Sequence, residues 1–278
     1  MVENGPPMID ALVRNRYVTS VARRIVGARQ LGQLVRLVPV LDALDDLPGG
    51  TLLDVGSGSL GVVDFLDPAR WQVTAIDQSF EDYGAWVRPP ATAATRVVGD
   101  VRALPFDDDA FDVVLALDLL EHVPHADRGR ALGELGRVAR RRVIVAAPAG
   151  TEALEADRRL AAMLRRPPGW LTEHLDNGLP FPDDLAVPLR AHGTVRCAGN
   201  ENADAHVALT RRELQLRWFV PTRLAARVLA VGLRERKPWA RRALARIRRF
   251  DRPPVYRTVV VAEIAASISS SSSAASAS

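Results

Sequence analysis

From residue 51 to 147, short apolar runs alternate with segments whose apolar residues recur at helical spacing. The runs are Thr51–Val55, Trp71–Ile76, Thr95–Val98, Phe111–Leu117 and Arg142–Ala147, and each ends in a Gly, Asp or Pro breaker. Strands separated by crossover helices predict a parallel sheet covered on both faces, an α/β, Rossmann-like, doubly wound architecture. Before it, Met8, Ile9, Leu12 and Val13, then Val18, Val21 and Ile25, then Leu31, Leu34, Val35 and Val38 follow helical periodicity, with Pro39 expected to kink or end the segment. Residues 1–47 thus read as a helical N-terminal cap, either a layer over one sheet edge or a lid over the first turn. Residues 48–266 read as a single domain. Thr151–Arg166 predicts a helix. A sixth strand is expected at Val195–Ala198 and an antiparallel last strand at Val255–Ile264. Between these two, about 207–252, lies a helical insertion. In it Leu224, Val228 and Val231 form one apolar stripe, while Ala240, Ala243, Leu244, Ile247 and Phe250 form another. The Ser/Ala repeats of 267–278 are too polar and simple to pack and are expected to be disordered.

Among these elements the stretch T-L-L-D-V-G-S-G-S-L-G, 51–61, carries most of the chemistry. A buried strand runs into a glycine-rich turn where a ligand can lie against the main chain, and a helix is expected to start near Leu60 with its N–H groups facing that ligand. Gly56-x-Gly58-x-x-Gly61, with Asp77 at the end of the next strand, also fits the dinucleotide pattern and so admits an NAD-dependent oxidoreductase. Charge separates the two readings. Asp54, two residues before Gly56, opposes a pyrophosphate but suits a ligand that carries a sulfonium, an ammonium and ribose hydroxyls. S-adenosylmethionine is such a ligand. Asp77, Asp100 and Asp118 all stand at carboxyl ends of strands, where open α/β sheets bind ligands.

Four segments in order, L-L-D-V-G-S-G, A-I-D-Q-S, G-D-V-R-A-L-P-F-D-D-D-A-F-D-V-V and L-D-L-L-E-H-V-P, resemble the class I S-adenosylmethionine-dependent methyltransferases, in particular the type 11 group. The resemblance covers about 50–150. It implies that Asp54, Gly56, Ser57 and Gly58 lie along the methionine part of the cofactor, with Asp118 also on the cofactor side. Asp77, with Gln78 beside it, would hold the ribose hydroxyls; Asp100 would accept from the adenine amino group and Val101 would pack the ring. Leu60 departs from the group's usual third glycine, which here falls one place later at Gly61.

Methyl transfer is an in-line displacement at an activated carbon, so orientation and a dry approach supply much of the rate. A base is needed only where the acceptor loses a proton, and His122 is the candidate. Glu121–His122 offers two groups to a divalent ion, too few for a metal site, and no metal is assigned. His174, in W-L-T-E-H-L-D-N-G-L-P-F-P, resembles an E-H-x-x-x-G-L-P segment of the same group. It reads either as part of the acceptor pocket or as a local hydrogen bonder in a Pro/Gly loop.

Composition narrows the setting. The 278 residues are 47% apolar, with a net charge of +4 and one cysteine, Cys197. No run nears the roughly 20 apolar residues of a membrane span. The opening M-V-E-N-G-P-P lacks the n- and h-regions of a secretory signal, so a cytoplasmic protein is expected. Arg241, Arg242, Arg246, Arg248 and Arg249 form a basic face suited to solvent, to an acidic acceptor or to peripheral contact with an anionic membrane. Only Lys237 is lysine and no aromatics interleave with the arginines, which argues against nucleic acid. The acceptor expected is a small molecule or a lipid or glycan precursor, and oligomeric state is not legible. A non-catalytic membrane-docking protein on the same fold is the third reading.

Overall fold

The computed structural model describes residues 31–58, 61–80, 94–213 and 216–265. The expectations for 1–30 and for the Ser/Ala tail lie outside these residues. A seven-stranded sheet runs in the order β3-β2-β1-β4-β5-β7-β6. Its strands are β1 (Gly50–Val55), β2 (Trp71–Asp77), β3 (Thr95–Val98), β4 (Phe111–Leu117), β5 (Ala139–Pro148), β6 (Gly193–Asn202) and β7 (Val255–Ile264). β1 to β5 pair in parallel, and β7 inserts antiparallel between β5 and β6. The strand order reverses between β1 and β4, and that reversal opens the crevice above Gly56.

Side chains alternate across the sheet with a period of two. Leu52, Val113, Leu115, Ile144, Val259 and Val261 bury on one face. Leu53, Val114, Ala116, Val143, Val145 and Val260 bury on the other. The first face is covered by α1 (Leu31–Asp45), α7 (Leu216–Arg234) and α8 (Pro238–Ile247), and the second by α2 (His125–Val138) and α5 (Pro182–Ala186). A third cluster joins α3 (Gly150–Ala162), α4 (Gly169–Asn177) and α6 (Ala203–Glu213) around Leu160, Leu171 and Tyr256.

At Pro39 and at 169–177 the structure decides against one of two expected alternatives. Pro39 does not end its helix; α1 runs through it to Asp45. Proline has no N–H for the Val35 carbonyl one turn back, and the buried Asn200 side chain supplies one instead, Nδ2 to O at 3.3 Å. Residues 169–177, read as a Pro/Gly loop in one alternative, form the helix α4, closed by Gly178 at φ 68°. In the insertion, Leu224, Val228 and Val231 are about half exposed, while Ala226, Leu229 and Ala230 face the core. α7 therefore packs through Ala226, Leu229 and Ala230. Contact with α8 is close, since a Cβ on Gly232 would stand 2.4 Å from Trp239.

The candidate active site

The glycine turn is built from below by a carboxylate. Asp54 is buried, and its Oδ2 accepts the Val62 N–H at 2.7 Å. Val62 begins a short 3-10 helix, Val62–Phe65, close to the helix start expected near Leu60. Its N–H points down to Asp54 and not out to a ligand, so Asp54 shapes the turn from within. Gly61 must lack a side chain because a Cβ would lie 2.4 Å from Asp54 Oδ2. Gly56 and Gly58 both take positive φ, 69° and 54°, which only glycine adopts freely.

Asp77 reaches back from β2 to tie the same turn. Its Oδ2 accepts from the Gly58 N–H at 2.8 Å and its Oδ1 from the Ser79 N–H at 3.2 Å. Gln78 Nε2 donates to Asp100 Oδ2 at 3.2 Å. Hydrogen bonds from Arg102 clamp Asp100 and hold its pKa down to about 2, so it stays an anionic acceptor. Val101 is buried beside Leu104. Asp77, Gln78, Asp100 and Val101 thus form one row at the ends of β2 and β3.

Gly56, Ser57 and Gly58 border a cavity of about 360 Å³ that also takes in Asp118, Glu121 and His122. Its other walls are Arg36 from α1, Trp170 and His174 from α4, His206 from α6, and Tyr256 and Arg257 from β7. Asp118 sits just past β4 with φ 48°, a conformation non-glycine residues rarely hold. Two guanidiniums grip it: Arg257 through Nε at 2.9 Å and Nη2 at 3.2 Å, and Arg36 through Nη1. Burial raises the Asp118 pKa, but Arg257 and Arg36 more than offset it and leave the carboxyl well below the usual range. Arg257 also pairs with the buried Glu201, which in turn meets His206 Nδ1 at 3.2 Å. Burial alone would lower the Arg257 pKa; Asp118 and Glu201 raise it, so Arg257 faces both acids as a cation.

Beside this network lies a ring of imidazoles. His206 stacks on Tyr256 with centroids 3.5 Å apart. The Tyr256 hydroxyl donates to Asp157 Oδ1 at 2.8 Å, and Asp157 Oδ2 contacts His174 Nδ1 at 2.9 Å. His122, half-exposed, places Nδ1 3.0 Å from Glu173 Oε2. Glu121 is fully buried, and burial together with the nearby Asp118 pushes its pKa well up. Arg128 Nε donates to the carbonyls of Leu120 and Val123, and its Nη2 to that of Gly178. It therefore pins the Glu121–His122 segment to the end of the helix that carries His174.

Residues 53–147 match a family model described as a methyltransferase domain. That stretch carries a methyltransferase domain. Solved structures share the fold. Magnesium protoporphyrin IX methyltransferase from Synechocystis PCC 6803, with bound SAH, is 16% identical at a TM-score of 0.51, over 93% of this chain and 99% of that one. A putative methyltransferase from an antibiotic biosynthesis pathway of Anabaena variabilis ATCC 29413 is 20% identical at 0.51, over 81% and 96%. The phosphoethanolamine N-methyltransferase 2 of Haemonchus contortus, in complex with phosphomonomethylethanolamine and S-adenosylhomocysteine, is 13% identical at 0.52, over 94% and 61%. The matched domain and the shared fold support S-adenosylmethionine-dependent methyl transfer over the NAD-dependent alternative.

The structure brings Gly56, Ser57, Gly58, Asp118 and His122 together in one cavity. Asp77, Gln78, Asp100 and Val101 do not line it. Sequence reasoning missed Arg36 and Arg257 as the partners of Asp118. Arg257 carried a signal: it is the one charged residue in V-Y-R-T-V-V-V-A, a strand otherwise built for burial.

Proposed function

We propose that the enzyme methylates a small polar acceptor bound in the cavity beside Gly56–Gly58. The observation that carries this reading is the lining. In about 360 Å³, shared with the methionine end of the cofactor, guanidinium, carboxylate and imidazole groups outnumber apolar ones. The acceptor's nucleophilic atom would lie in line with the sulfonium methyl over the glycine turn, with Trp170 beside it. His122, steered through Nδ1 by Glu173, offers its other nitrogen to the acceptor's proton. His122→Gln is expected to lower kcat by about 10²- to 10⁴-fold with S-adenosylhomocysteine affinity unchanged. Full activity in that variant would remove His122 from the chemistry. A screen of water-soluble hydroxy and amino compounds against lipid acceptors, read as methylated product, tests the acceptor class; turnover of lipids alone would overturn it.

We propose also that the insertion rests on anionic membrane. Leu224, Val228 and Val231 present a half-exposed apolar stripe on α7. On the neighbouring α8 Trp239 is 47% exposed, and Arg242, Arg246 and Arg249 are exposed close by. Arg241 and Arg248 are engaged instead by Asp45 and Asp42 of α1, at 2.9 and 2.8 Å. No helix among the described residues is long and apolar enough to cross a membrane, so such contact would be peripheral. Phosphatidylserine vesicles should co-sediment with the protein at low salt and release it at 0.5 M salt, on the order of a few Debye lengths' added screening. Equal recovery with neutral vesicles would count against the basic face.

A further inference from the structure

Glu121, His122 and His174 come from two separate segments and meet on the cavity wall. Each offers a ligand atom, and these atoms lie within 4.8 Å of one another. Two further observations concern what these groups do without a ligand. Glu121 is fully buried, and neither carboxylate oxygen has a hydrogen-bond partner. A buried carboxylate with both oxygens unsatisfied is rare in folded proteins and calls for a cation or donor not supplied by the chain. The imidazoles, by contrast, are each oriented by a carboxylate. His174 Nδ1 is held at 2.9 Å by Asp157, itself fixed by the Tyr256 hydroxyl, and His122 Nδ1 is held at 3.0 Å by Glu173. With Nδ1 so engaged, Nε2 is the free nitrogen on each ring. A carboxylate behind each ligating histidine is the outer-shell arrangement of metal sites.

We infer that Glu121, His122 and His174 bind one divalent transition-metal ion of the zinc class, with a coordination position open to the cavity. Two imidazole nitrogens and one carboxylate suit Zn²⁺ or Co²⁺, whereas Mg²⁺ and Ca²⁺ favour all-oxygen sets. Tetrahedral bonds of about 2.0–2.1 Å need ligand atoms roughly 3.4 Å apart, so side-chain rotations close the remaining gap. Glu121, with Glu173 and Asp157 behind the histidines, supplies the negative charge. The nearby Arg257 is already neutralised by Asp118 and Glu201. A role for the ion in holding the acceptor's oxygen or nitrogen rests on the small-acceptor reading above; the binding site itself does not. An ion on His122 Nε2 also occupies the atom assigned there to the acceptor's proton, so chelator sensitivity of the rate decides which role His122 plays in turnover.

The test uses the full-length protein, stripped with chelator and titrated with Zn²⁺ or Co²⁺. One equivalent should survive gel filtration, and Co²⁺ should develop the visible absorption of a four- or five-coordinate site. Glu121→Gln and His174→Gln should each abolish retention. Asp157→Asn, which touches no ion, should weaken binding by about 10- to 100-fold. Glu121→Gln keeps the size of a buried side chain whose oxygens have no hydrogen-bond partner, so its metal-free melting temperature should match that of the wild type, which separates lost binding from lost folding. S-adenosylhomocysteine binding is measured on the same samples. Its failure would sink the methyltransferase reading and leave the metal result standing. Wild-type protein that retains no Zn²⁺, or variants that retain it as the wild type does, would overturn the inference.

Discussion

Arg257→Ala should destabilise the protein by about 3–5 kcal/mol, because it strips the partner from two carboxylates that stay buried. In a domain of this size that lowers the melting temperature by about 10 °C. Arg257 holds Asp118 by two hydrogen bonds and also grips Glu201, and it joins β7 to the loop after β4 and to the end of β6. Arg36 and His206 remain, but neither can serve both acids. The pH dependence gives the effect its sign. In the wild type the network holds Asp118 and Glu201 below their ordinary values, after the opposing effect of burial. The stabilisation is therefore complete above the ordinary carboxylate range, near about 4, and is lost as pH falls below it. In the variant the two acids take up protons more readily, so its deficit should be largest at neutral pH and shrink toward pH 5. Urea melts of both proteins at pH 7.5 and 5 check this, and an equal deficit at both would mean that packing, not charge, dominates.

Asp77→Ala should weaken S-adenosylhomocysteine binding by at least about 10²-fold, roughly 3 kcal/mol, the worth of one or two hydrogen bonds to a charged acceptor. Asp77 ties the Gly58 and Ser79 N–H groups and still has lone pairs for ribose hydroxyls. Asp77→Asn keeps the size but exchanges one acceptor oxygen for a donor, and should lose most of the same affinity. Calorimetry of both variants is the check. Wild-type affinity in Asp77→Ala would place the ribose elsewhere.

Much of the molecule could be read before folding because its information is local. β1, β2, β4 and β7 announce themselves as apolar runs with breakers, and Asp77 and Asp118 stand at strand ends in the sequence as in space. What escaped was long-range. Arg36 and Arg257 reach Asp118 across 82 and 139 residues, and no spacing rule connects them. His174 joins Glu121 and His122 only because α4 folds back over the β4 loop, with Arg128 as the tie. That the helix runs on past Pro39 was not legible, because the missing donor is replaced by Asn200, 165 residues from Val35. The stripe Leu224, Val228, Val231 was legible as an apolar face, but periodicity does not say whether a partner covers it, and here it stands half exposed. Asp54 was legible as part of the glycine turn, but its bond to the Val62 N–H, eight residues on, was not.

Calorimetric titration of the wild-type protein with S-adenosylhomocysteine, and in parallel with NAD, tests the central claim most directly. Saturable one-to-one binding of S-adenosylhomocysteine, with no heat from NAD, is the expected result. Binding of NAD with none of S-adenosylhomocysteine would contradict it.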